Sequence, residues 1–160
     1  MSSLLDDANQ ARLLRLEQIL DSGAMRDARR LLESLAPAEI AHLLEALPRT
    51  EREIVWNLVD EHNDGEILLL VTDEVRADLI RRMDLGEILI ATEQLDLDDL
   101  ADLVQDLPHA LTREVMESLD VQARKRLEAV LSYPVDSAAG LMNTDTVTVR
   151  PEVTLDVVIR

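Results

Sequence analysis

The chain has 160 residues, a net charge of −17 from 33 acids against 16 bases, and 47% hydrophobic residues of which almost none are aromatic. This length suits one domain of ordinary size plus an extension. The charge argues against nucleic acid as a partner, because phosphate recognition wants a basic face. With no Cys, disulfides, thiolate metal sites and Cys nucleophiles are excluded. A core without Phe must be built from Leu, Ile, Val, Ala and Met. Leu, Ala and Met are strong helix formers, and Gly and Pro are scarce, so the composition points to an all-α fold.

The first helix is predicted over 4–20, ending before Ser22-Gly23. Residues 1–7 carry two acids and no basic stretch, so no signal peptide is expected there. A second helix covers 25–35. Pro37, at a position where a first helical turn tolerates it, opens a third through Leu47. Its Ile40, Leu43, Leu44 and Leu47 follow the i, i+3, i+4, i+7 spacing of one buried face. Pro48 closes that helix, and Thr50 with Glu53 reads as a capping box for the next, to about residue 61. Asn63-Asp64-Gly65 reads as a turn. Short helices follow at 66–71, 73–83 and 85–92, then 97–106, closed by Pro108, then 110–119 and 121–132. The longest apolar run, 67–71, is far short of the ~18 residues that span a bilayer, so no direct membrane insertion is expected of these residues.

One pattern recurs at a distance of sixty residues. Leu35, Ile40-Ala41, Leu43 and Leu47-Pro48 return as Leu95, Leu100-Ala101, Leu103 and Leu107-Pro108, with Val55 and Val115 at the same offset behind them. Paired short helices that repeat in this way stack, each pair burying its apolar face on the next. After Tyr133-Pro134 the pattern changes. Residues 133–145 read as a linker, Thr146-Val147-Thr148-Val149 as a strand, and Thr154 as the cap of a helix. One strand and half a helix make no core. The sequence therefore reads as ending inside a second domain.

No catalytic constellation stands out. His42, His62 and His109 are far apart and in no metal-ligand spacing, and there is no Gly-rich phosphate loop. The run from Asp60 to Val71 imitates a calcium loop but places His62 and Val71 where oxygen ligands are required. The informative cluster is Asp96 to Asp102. With Asp96 as N-cap, Asp98 and Asp99 fall in the first turn, where the helix dipole favours anions. Asp102 lies beyond that benefit, repelled by Asp98 and Asp99 at helical spacing, and Asp106 extends the row. Such a row is either a solvated acidic face or a place for a hard divalent cation.

Three stretches together resemble the MgtE family of Mg²⁺ channels: the leucine-rich series with Leu44-Glu45 and Leu47-Pro48; Leu97-Asp98-Asp99-Leu100-Ala101-Asp102; and Tyr133-Pro134, Ser137-Ala138-Ala139-Gly140-Leu141-Met142 running into Val147-Thr148-Val149. The resemblance implies a right-handed superhelix of about ten short helices, followed by the start of a CBS domain. It divides the chain into an N-terminal helix (1–22), the superhelical N domain (23–132), a linker (133–145) and the CBS start (146–160). It implies a non-enzymatic, cytoplasmic regulatory domain of a bacterial inner-membrane protein. It further implies Mg²⁺ as the ligand and, as partners, the CBS and transmembrane domains of the same protein, in a homodimer. By the same resemblance, Mg²⁺ bridging N and CBS acids is expected to hold the pore shut, and without it the charges are expected to repel and the domains to separate. Carried over by motif, the metal positions are Glu66, Asp98 and Asp102, with Asp99 adjacent and Gly140 offering a backbone carbonyl. Ala139 stands where the family has a first Gly. The competing expectation is a helical-repeat interaction scaffold similar to the flagellar motor switch protein.

Overall fold

The computed structural model describes residues 2–132. Among them run ten α-helices: α1 (Ser2–Asp21), α2 (Met25–Glu33), α3 (Pro37–Ala46), α4 (Arg49–Trp56), α5 (Asp64–Leu70), α6 (Asp73–Ile80), α7 (Leu85–Glu93), α8 (Leu97–Asp106), α9 (His109–Ser118) and α10 (Val121–Leu131). A single 3₁₀ turn, Glu61–Asn63, precedes α5. There is no strand among the described residues, and the fold is all-α as the composition requires. The predicted linker, strand and CBS start lie outside the described residues.

Helices pack mainly on their second neighbours. α1 lies on α3, α3 on α5, α5 on α7, α7 on α9 and α8 on α10, while α5 also meets α8. One continuous core runs through this stack, dominated by fully buried Leu16, Leu44, Leu68, Leu79, Leu103 and Leu127. The sixty-residue repeat is the repeat of that core. Ile40 and Leu100, Ala41 and Ala101, Leu43 and Leu103, Leu44 and Val104, Leu47 and Leu107, and Val55 and Val115 are all buried.

Four of the corners share one geometry. Between α3 and α4, α5 and α6, α8 and α9, and α9 and α10 the chain turns on two extended residues: Leu47-Pro48, Val71-Thr72, Leu107-Pro108 and Leu119-Asp120. Ending a helix this abruptly leaves its last carbonyls without amide partners. The fourth residue of the following helix supplies them. Arg52 Nε donates to Leu44 O at 2.7 Å and Nη2 to Leu47 O at 3.1 Å. Arg76 repeats this on Leu68 O at 2.7 Å and Val71 O at 3.2 Å. Arg124 repeats it on Met116 O at 2.6 Å and Leu119 O at 3.3 Å. In the α8–α9 corner the residue is Thr112, whose hydroxyl reaches Val104 O and Leu107 O only at 3.5 Å.

The α1–α2 corner is different. Gly23 has φ +70°, which a residue with a side chain rarely adopts. Its N–H reaches Leu20 O at 2.9 Å, and the N–H of Ala24 reaches Ile19 O at 3.2 Å. This pair is the Schellman arrangement.

Three local expectations are corrected, the first being the length of α4, which ends at Trp56 and does not reach residue 61, where a separate 3₁₀ turn begins. Thr50 caps nothing: α4 starts at Arg49 behind Pro48, which leaves Thr50 inside the first turn. Asn63-Asp64-Gly65 is no open turn, because Asp64 and Gly65 are the first two residues of α5. Composition favoured a loop there, but contact with α7 makes it helix.

Candidate functional site: an acidic face on α5 and α8

α8 starts and ends where its pattern predicts, at Leu97 and Asp106. Asp96 is its N-cap by backbone position, although its side chain accepts no capping bond. Leu97, Leu100, Leu103 and Val104 are buried, which turns Asp99 and Asp102 outward to solvent and leaves Asp98 half-buried. Glu66 is exposed in the first turn of α5. Because α5 packs on α8, Glu66 reaches the field of this cluster. Asp99 is held above the usual carboxylate range, first by partial loss of water, then by the charges of Asp98, Asp96, Asp102 and Glu66. One oxygen of Asp98, Oδ1, is enclosed and has no hydrogen-bond partner. A buried acceptor left unpaired costs about 1–3 kcal/mol, so its persistence asks for a reason.

The structure thus brings Glu66, Asp98, Asp99 and Asp102 to one face. Gly140 lies outside the described residues. Asp106, the last acid of the row, does not share the face's chemistry, because it pairs with Arg76 of α6. Among the described residues, no three His, Asp or Glu side chains stand close enough to hold a metal ion alone. His42, His62 and His109 are exposed. Nδ1 of His62 lies 2.9 Å from Oδ1 of Asp60. With Asp64 and Gly65 helical, the calcium-loop lookalike is ruled out.

A second group of acids, drawn partly from the run that imitates a calcium loop, is assembled by the fold around Asp64. Asp64 is only 7% exposed. Its carboxyl is pushed up to about 7 by burial, and further by the charges of Glu87, Glu61 and Asp60. Its Oδ1, like that of Asp98, has no partner. The signal that could have found it is Gly65, whose missing side chain lets the start of α5 press on α7.

The bases gather elsewhere. Arg49 of α4 meets the buried Asp78 of α6 at 2.6 Å, with Arg81 at 3.2 Å on the same oxygen. Arg82 bridges back to Glu53. No described helix is long and apolar enough to cross a membrane.

Comparison with known proteins agrees with the fold. Residues 35–136 match the model of the MgtE intracellular N domain. The magnesium transporter MgtE of Thermus thermophilus is 30% identical over 148 residues, covering 91% of this chain and 33% of that protein. The magnesium transporter MgtE of Bacillus subtilis is 22% identical over 130 residues, covering 81% of this chain and 29% of that one. The chain therefore spans about a third of the length of these relatives. A solved structure, the cytosolic domain of the Mg²⁺ channel MgtE in complex with ATP, superposes with a TM-score of 0.76 at 29% identity. It covers 92% of this chain and 60% of its own. With a family model spanning most of the helical stack, the chain belongs to the MgtE intracellular N domain family.

Proposed function

We propose that this chain is the Mg²⁺-sensing part of a magnesium transporter, a non-catalytic domain that shares the ion with other parts of the same protein. The observation that supports this most directly is the meeting of Glu66 with Asp98, Asp99 and Asp102 on one face, one Asp98 oxygen being enclosed and unpaired. Mg²⁺ needs only one or two carboxylates and keeps several waters. These residues offer that much and do not complete a cage among themselves. The remaining ligands would come from the CBS domains and from the carbonyl of Gly140.

The chemistry of a switch follows from the charge. At −17 the chain resists a close approach of other acidic surfaces. Cations held between two such surfaces favour the closed arrangement and leave the open one unaided, which shifts the balance between them. In the whole protein, a homodimer in the bacterial inner membrane, this arrangement closes the pore at high cytosolic Mg²⁺.

The test is thermal unfolding of the chain in millimolar MgCl₂ against NaCl of equal ionic strength, because screening alone relieves self-repulsion. Wild type is expected to gain stability specifically in MgCl₂, and an Asp98→Asn/Asp102→Asn double variant to lose part of that gain. Superimposable titrations of the two proteins would reduce these residues to a solvated acidic surface.

A further inference from the structure

A pocket of about 390 Å³ lies between α2, the end of α4, the 3₁₀ turn and the first turns of α5 and α7. Asp64 lines it, together with Asp60, Glu61, Glu87 and Glu33. Arg29 is the one base on its wall and stands in no ion pair with the described acids. An acidic hollow alone would mean little. The second observation is Asp64 itself: 93% of it is withdrawn from solvent, and its Oδ1 has no hydrogen-bond partner.

The backbone beside Asp64 is held in place by close packing. A β-carbon on Gly65 would meet Ala91 O at 2.0 Å, so α5 and α7 are in backbone contact immediately beside Asp64. The backbone that carries Asp64 therefore cannot draw back from α7. Nearby acids have partners of their own. Glu87 accepts from the Asp84 N–H at 2.8 Å, and Asp60 accepts from the His62 N–H at 3.0 Å. Each of those carboxylates still has acceptor capacity left for a water. A carboxylate fixed in a hollow of other carboxylates is relieved by a positive charge.

We infer that the Asp64 pocket is a second cation site, taking one hydrated divalent ion bound directly by Asp64 and through water by Glu87, Glu61 and Asp60. Water-mediated contacts account for the lack of three converging ligands, since Mg²⁺ dehydrates reluctantly. The site is complete within this domain. It needs no partner domain, unlike the face on α5 and α8.

Trp56 makes it directly observable. It is the only tryptophan in the chain and lines the same pocket. With excitation selective for Trp, Tb³⁺ bound there is expected to luminesce by energy transfer from Trp56, and Mg²⁺ to compete the signal away. Asp64→Asn is expected to lower the sensitised signal at least tenfold, while melting no lower than wild type in EDTA. Asp98→Asn/Asp102→Asn is expected to keep both the signal and its competition by Mg²⁺. A wild-type signal in Asp64→Asn would overturn the inference, and so would a signal that Mg²⁺ does not displace. If Asp64→Asn fails to fold, Glu87→Gln decides: it retains the acceptor that caps α7, and an unweakened Tb³⁺ titration in it would equally refute the site. The Asp98/Asp102 variant separates this outcome from the fate of the α5–α8 reading.

Discussion

Gly65 presses its α-carbon against the carbonyl of Ala91, with no room for even a methyl group between α5 and α7. The atom that a β-carbon would strike is backbone, which cannot rotate aside. Gly65→Ala is therefore expected to force the helices apart and destabilise the chain by about 1–3 kcal/mol or more, despite the better helix propensity of Ala. Denaturant unfolding measures it. A neutral or stabilising result would mean the two helices slide freely past each other.

The corner arginines give a graded series. Removing a charged donor from two otherwise unpaired carbonyls costs about 1.5–3 kcal/mol. Arg52→Ala, Arg76→Ala and Arg124→Ala should each fall in that range. Thr112→Ala, whose hydroxyl lies 3.5 Å from the two corner carbonyls, should cost well under half as much. Urea midpoints at constant slope check the ranking. Equal costs at all four corners would show that the guanidinium bonds contribute nothing beyond packing.

Asp78 is buried, but Arg49 and Arg81 beside it remain two-thirds exposed, and the less exposed Arg82 keeps Glu53 as a partner. Removing the carboxylate lets those cations return to water instead of stranding them. Asp78→Ala should therefore cost about 1–2 kcal/mol, less than the breaking of a fully enclosed pair. Chemical denaturation in low and high salt tests this. A loss as large as that for an enclosed pair would mean the arginines are trapped.

Asp120 caps α10 by accepting from Ala123 N–H at 3.0 Å and Gln122 N–H at 2.7 Å. These bonds hold its carboxyl below its ordinary value of 3.8, the Ala123 bond most of all. Because the folded form binds the proton less readily than the unfolded one, the benefit is present above pH 4 and lost as the pH falls through the depressed value. Asp120→Ala should melt below wild type at neutral pH, with the gap closing in acid. A gap that stays constant from pH 7 to 3 would rule out the ionised cap.

Much of the stack was readable from the chain alone. The sixty-residue pattern identified the buried face of α3 and α8 residue by residue, because burial of leucine at helical spacing is a local signal. Asp64-Gly65 misled for the opposite reason. Asp and Gly favour turns in isolation, and what makes them helical is a neighbour more than twenty residues away. The acids of α8 were visible, but the removal of Asp106 from that row depends on Arg76, thirty residues upstream, which no spacing reveals. The corner arginines went unread because their acceptors are carbonyls, which leave no mark on composition. The recurrence of Arg52, Arg76 and Arg124 at multiples of twenty-four residues was the trace they did leave.

Those arginines have a kinetic consequence. Each reaches back only five to eight residues, so a corner can close while the rest of the chain is still disordered. Contacts so short in sequence require little loop closure, and chains rich in them fold fast. This one can start at several corners at once, and the α8–α9 corner, held by a threonine, is the one expected to lock last.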